Sequence, residues 1–194
     1  MRIALSTALI SAAAIALTLT ACNKNAENKP NFESAINSYY QVHPTCLWSD
    51  PQQFPVQIGH SDPKTAQYDA LVDQGLLTRT TSEKKVIIIS KQQNNYDVSE
   101  KGRGAWTPDS SQPGYGNFCY GHRKVSSIDG YTPTNSQPGA TTTVQYHYTI
   151  GDVPAWAQAA ETQTAYPQLR DQLSPTPQAD SVKMTNTQNG WQVG

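Results

Sequence analysis

Charge is scarce in this chain: Asp, Glu, Lys and Arg together make up 15% of its 194 residues, and the formal net charge is −1. An average soluble protein carries about 25% charged residues. Gln, Asn, Ser and Thr take up the polar load instead, and such a near-neutral surface offers no electrostatic footprint for nucleic acid. Catalytic signatures are equally thin. There is no Gly-x-Ser-x-Gly elbow and no phosphate-cradling Gly loop. Ser82-Glu83-Lys84-Lys85 fits a Ser-x-x-Lys spacing, but the partner motifs of that acyl-transfer class are missing. The stretch reads as the solvated loop of a β-hairpin. His60-Ser61-Asp62 holds the residue types of a triad, yet sequence neighbours cannot take up triad geometry. Asp62 before Pro63 is explained as the start of a helix. Acids are too sparse to reveal a carboxylate pair for glycoside chemistry. No internal repeat is present.

Long apolar runs are also missing, with one exception. Ile3 to Leu19 is apolar apart from small Ser and Thr, follows Arg2, and ends in Leu19-Thr20-Ala21-Cys22. A basic start, an apolar stretch and small residues before a cut site make a signal peptide. As a transmembrane anchor the run is short of the roughly 20 residues a bilayer requires. The Leu-Thr-Ala-Cys ending resembles the lipobox of bacterial lipoproteins. That resemblance implies cleavage before Cys22, acylation of Cys22, and attachment to a membrane through lipid. Asn23 is not the Asp that in enteric members of the family signals inner-membrane retention. The implied place is therefore the outer membrane facing the periplasm, with the inner membrane as the alternative. One acyl chain holds only reversibly and several hold firmly.

Removal of residues 1–21 leaves 173, enough for one domain or two small ones. Two cysteines then remain beside Cys22. Cys46 and Cys119 form an even pair in an oxidising compartment, which reads as a disulfide closing a 73-residue loop. The chain-entropy model gives such a loop about 4.4 kcal/mol. The alternative is zinc, because His43-Pro-Thr-Cys46 and Cys119-Tyr-Gly-His122 mirror each other and supply four potential ligands. A disulfide needs no cofactor; the alternative reading makes zinc the cofactor.

Residues 22–31 contain no large apolar side chain and read as a lipidated, flexible tether. Phe32, Ala35, Ile36, Tyr39 and Tyr40 then share one face of a helix that Pro44 ends. Tyr68, Leu71, Val72 and Leu76 share a second helical face, with Gly75 as its stop. Short strands follow near Leu76–Thr80 and Val86–Ser90, with a turn at Gln92–Asn95 before Tyr96-Asp-Val-Ser99. The run Tyr68 to Arg79, ending in Gly75-Leu76-Leu77, and the segment Tyr96-Asp-Val-Ser-Glu-Lys-Gly102 resemble the C-terminal part of a winged-helix domain. Residues 64–103 carry this resemblance. Gln67, Asp69, Asp73 and Gln74 stand where a DNA-reading helix carries Arg and Lys, so the resemblance implies scaffold or protein-contact surface.

A Gly- and Pro-rich crossing from Gly102 to Gly116 leads into a sheet-rich half. Phe118 to Tyr131 and Thr141 to Ile150 read as strands. The latter alternates Val144, Tyr146 and Tyr148 against Gln145, His147 and Thr149, which makes His147 a solvent-facing sheet residue. Asp152-Val-Pro154 opens a helix carrying Trp156, Ala159 and Ala160, and Tyr166, Leu169 and Leu173 continue the helical rhythm. Ser181–Thr187 then meets Trp191 and Val193 across Asn189-Gly190, a hairpin turn. Trp156 and Trp191 read as core. Trp106 and Tyr115 lie in the crossing, where amphipathic aromatics serve either packing or partner contact.

The expected fold is α+β: a small helical, winged-helix-like part over residues 32–105, packed against an antiparallel sheet with one C-terminal helix over 106–194. The expected function is that of a non-catalytic, acylated envelope lipoprotein. It would bind another envelope component, most naturally a protein, through Trp106 and Tyr115. A periplasmic lipoprotein that binds a metal or small ligand is the alternative, and an envelope hydrolase comes third.

Overall fold

The computed structural model describes residues 23–86 and 89–194. The segment read as a signal peptide and the lipidation candidate Cys22 lie outside the described residues, as do residues 87 and 88 of the strand expected at Val86–Ser90. The fold is α+β, with antiparallel sheets and short helices. No helix among the described residues is long and apolar enough to cross a membrane.

Helix α1, Lys29–Val42, starts where Asn28 accepts a hydrogen bond from the Asn31 amide at 2.9 Å, with Pro30 in its first turn. Its apolar face buries Phe32 and Ile36 completely. They lie on a meander of four strands: β7 (Tyr115–Tyr131), β8 (Thr141–Gly151), β9 (Gln178–Thr187) and β10 (Gly190–Val193). The expected alternation holds in β8, where Val144, Tyr146 and Tyr148 face the helix. Phe32 stands 5.1 Å from Trp191, edge to face, and 4.9 Å from Tyr131.

A second core forms around α2 (Thr65–Asp73) and a three-stranded sheet ordered β3-β5-β4, comprising β3 (Val56–Gly59), β4 (Leu77–Val86) and β5 (Ile89–Val98). Leu71, Leu76, Leu77 and Tyr96 are buried there. The short α3 (Glu100–Arg103) closes this unit, because Gly102 sits against the backbone of Leu76. A Cβ on Gly102 would fall 1.9 Å from the Leu76 carbonyl oxygen. Ser99 caps α3 by accepting from the Gly102 amide at 2.7 Å, and its own amide donates to the Leu76 carbonyl at 3.0 Å.

The seventeen-residue β7 runs through both cores. Its first half pairs with β1 (Thr45–Cys46), β2 (Gln52–Gln53) and β6 (Trp106–Pro108), its second half with β8. Phe118 and Tyr120 therefore belong to one core and Ile128 to the other.

Five expectations require correction. Asp62-Pro63 does not start a helix: α2 begins at Thr65, and Asp62 instead accepts from the Lys64 amide at 2.8 Å in the turn before it. Gln92–Asn95 is not a turn, because β5 continues through it. Asn94 is 1% exposed, accepts from Thr81 Oγ1 at 3.2 Å and donates to the Tyr96 hydroxyl at 3.3 Å, so its polar groups are satisfied inside a strand. Ser82–Lys85 likewise belongs to β4 and pairs with β5, not to a loop.

Residues 23–31 do not trail as a free tether over their whole length. Asn25 donates to the Asn186 side chain and to the Thr187 carbonyl, both at 2.6 Å, and Glu27 accepts from the Thr134 amide at 2.7 Å. Amide and carboxylate groups attach this segment, which a search for large hydrophobic residues does not register.

The expected single C-terminal helix is three short ones: α4 (Ala155–Gln158), α5 (Ala160–Ala165) and α6 (Pro167–Gln172). Tyr166, ahead of Pro167, leaves the helical region at φ −127° and ψ 78°, as the residue before proline is driven to do. These helices join α2 in the second core, while α1 joins the β7–β10 sheet. The two cores thus exchange elements across residue 105.

Candidate functional site: a cleft over the disulfide

Cys46 and Cys119 are joined, and they are direct cross-strand partners in the β1–β7 pair. Both residues are partly exposed and line a surface cleft of about 310 Å³, near the lower end of the ligand-pocket range. One wall is the C-terminal end of α1, with Val42, His43 and Pro44; the other carries Pro51, Thr107 and Pro108. Val42 is a large apolar side chain that stands 71% exposed.

His43 is fixed beside this cleft. Its Nδ1 lies 2.7 Å from the Tyr39 carbonyl, and its ring stacks on Tyr39 at 4.0 Å. A carbonyl only accepts, so Nδ1 carries the hydrogen in this contact. Asp109 supplies the charge. Its carboxylate accepts from the Ser111 hydroxyl at 2.6 Å and the Ser111 and Gln112 amides at 2.7 and 3.0 Å. Those donors, the hydroxyl foremost, hold its pKa below the usual carboxylate value. The cleft is apolar on its walls and anionic at its rim.

The remaining candidates fall at different distances from this cleft. Trp106 and Thr107 alternate along β6: Thr107 lines the cleft, whereas Trp106 packs 5.0 Å from Phe118 and 5.5 Å from Phe54. Tyr115 opens β7 opposite Gln53 and is partly buried. His122 lies 3.9 Å from Asp152 across from Lys124, not beside His43. The disulfide uses both sulfurs, so the quartet His43, Cys46, Cys119 and His122 offers no thiolate to zinc. Among the described residues no three His, Cys, Asp or Glu side chains converge on a metal position.

The structure also assembles groups that the sequence did not single out together. Arg123 lies 4.9 Å over the Tyr40 ring and 4.4 Å over Tyr148, with its guanidinium donating to Asp180 and to the Tyr40 hydroxyl. On the outer face of the sheet, Ser127 Oγ donates to Asp129 at 3.0 Å, and His147 Nδ1 meets the other Asp129 oxygen at 2.7 Å. Serine and histidine both address the carboxylate there, not each other, so no nucleophile–base pair is formed. The β7–β8 register sets Ser127 opposite His147, a pairing that no spacing in the sequence announces.

Comparison with family models, with curated proteins and with solved structures finds no match to this chain.

Proposed function

We propose that this protein is an acylated lipoprotein of the bacterial envelope, attached through Cys22 to the periplasmic face of the outer membrane, whose folded part holds another envelope protein without catalysing a reaction. The observation that carries the binding reading is Val42, exposed at the rim of a cleft walled by Pro44, Pro51 and Pro108. Apolar walls with one fixed carboxylate suit an extended polypeptide carrying apolar side chains and a basic residue near them. The Leu19-Thr-Ala-Cys22 sequence supports the anchor. With Asn25 docked on β9, only Asn23 and Lys24 stand between Cys22 and the body, a reach of about 10 Å over three Cα steps. The body then sits close to the membrane surface.

The β3–α2–β4–β5 unit supports the winged-helix-like reading of residues 64–103. A helix runs into Gly75-Leu76-Leu77, the strand before the helix pairs with the last strand, and Ser99-Glu-Lys-Gly102 closes the unit. Asp69 on its helix is engaged by Arg79 at 2.7 Å and by the Tyr96 hydroxyl at 2.8 Å. This half-domain is scaffold, with no basic reading helix for nucleic acid.

The experiment places a photo-crosslinking amino acid at Val42, and in a second strain at Thr143 on the outer sheet face, in intact cells at native level. A saturable adduct with one envelope protein at position 42 alone is the expected result. Equal adducts at both positions, or none, would reject the cleft. Cys22→Ser tests the anchor separately: acyl label and membrane fractionation are lost together if the anchor is as proposed.

A further inference from the structure

We propose that Cys46–Cys119 is a reactive disulfide, open to exchange with a protein dithiol that enters the cleft above it. This inference rests on the cleft geometry and stands whether or not the cleft also holds a binding partner. Exposed disulfides are the labile and regulatory ones, whereas protected ones resist reduction. Here Cys46 and Cys119 both line the cleft, and both residues are partly exposed. The bond joins residues directly opposite one another in adjacent strands, with Cα atoms 3.8 Å apart.

Position and support complete the device. Cys46 lies in a two-residue strand at the edge of the sheet, paired on one side only. Cys119 lies in the central β7. The strand junction keeps its own ties after reduction: the Leu47 amide donates to the Phe118 carbonyl at 2.9 Å, and the Asn117 side chain bonds both backbone groups of Trp48 at 3.2 and 2.6 Å. The reduced chain thus stays folded and the thiols stay together for reclosure.

The exchange balances without a further reagent. The thiolate of the incoming dithiol forms a bond to Cys46 Sγ as the Cys46–Cys119 bond breaks, and Cys119 leaves as thiolate and takes a proton from solvent. The second thiol of the partner loses its proton to solvent and attacks the mixed disulfide, releasing Cys46. The partner dithiol is oxidised to its own disulfide, and the Cys46–Cys119 pair is reduced by the same two electrons. Asp109 at the rim sets a preference against negatively charged thiols.

The test uses the full chain purified from membranes in detergent, without denaturant. The probe is a thioredoxin-type protein whose second cysteine is replaced by serine, so that the mixed disulfide is trapped and read on a non-reducing gel. The native chain is expected to form it at a rate within about a hundredfold of the urea-unfolded chain, with tryptophan fluorescence still native. A slower native rate, tracking global unfolding, overturns the proposal. Reduced glutathione, an anionic thiol, supplies the second measurement. D109N should raise its rate of attack two- to fivefold at low salt, with the gain lost at about 1 M salt. An unchanged rate would place the attack outside the cleft and overturn the route.

Discussion

Trp191 donates its indole N–H to the backbone carbonyl of Asn25 at 3.2 Å, tying the first described residues to the last hairpin. Asn186, 1% exposed, completes the clamp: its side-chain oxygen accepts from Asn25 Nδ2, and its nitrogen donates to the Ser136 carbonyl at 2.8 Å. Asn186→Ala removes both partners and leaves buried polar groups unpaired, at a cost of about 1–3 kcal/mol. Urea unfolding measures that loss. Limited proteolysis of the folded variant should also expose new cleavage between residues 23 and 28, and an unchanged digest would mean the clamp does not hold this segment.

Arg123 joins α1, β7, β8 and β9 through Tyr40, Tyr146 and Asp180. Arg123→Met keeps most of the volume but removes both cation–π contacts and the guanidinium hydrogen bonds, leaving the Asp180 carboxylate only the weaker Tyr146 hydroxyl at 3.4 Å and its Ser181 amide. The expected destabilisation is about 2 kcal/mol. Arg123→Lys should recover less than half, because an ammonium cannot reach the carboxylate and hydroxyls together as the planar fork does. Full recovery by lysine would show that charge alone matters.

Gly102 has no room for a side chain, since its Cβ would strike the Leu76 backbone. Gly102→Ala must push α3 away from the Gly75-Leu76-Leu77 corner, where Gly75 holds φ +72° at the end of α2. A loss of about 3 kcal/mol is expected, at the upper end for overpacking. Melting curves will show it as a lowered midpoint; a change below 0.5 kcal/mol would mean that α3 is not packed as described.

Burial raises the phenol pKa of Tyr120 to about 12 and also lifts those of Tyr146 and Tyr166. Each stays neutral in the folded protein while the unfolded chain ionises near pH 10, so the folded state binds more protons above that pH. The stability this contributes is complete below pH 10 and is lost as pH rises towards 12. The slope per retained phenol approaches 1.4 kcal/mol per pH unit. Absorbance at 295 nm should show these tyrosines titrating late, together with unfolding, and a single transition of all ten near pH 10 in folded protein would contradict their burial.

Local pattern determined the elements of this protein that rest on periodicity. The Phe32–Tyr40 spacing yields α1, the alternation from Val144 to Tyr148 yields β8, and Asn189-Gly190 yields the last hairpin, since in each case one apolar face must be buried. The even pair Cys46 and Cys119 likewise pointed to the disulfide that the structure contains. Tertiary structure alone decided what depends on distant partners. Asn94 became part of a strand because Thr81 and Tyr96 satisfy it, and residues 25–28 were fixed because Asn186, Thr187 and Thr134 lie beside them. The cleft over the disulfide brings together α1, β1, β6 and β7, whose residues span positions 42 to 119. No spacing encodes that meeting. It follows from β7 being long enough to pass through both cores, and a hydrogen bond or a wall supplied from far along the chain leaves no periodic trace in the sequence.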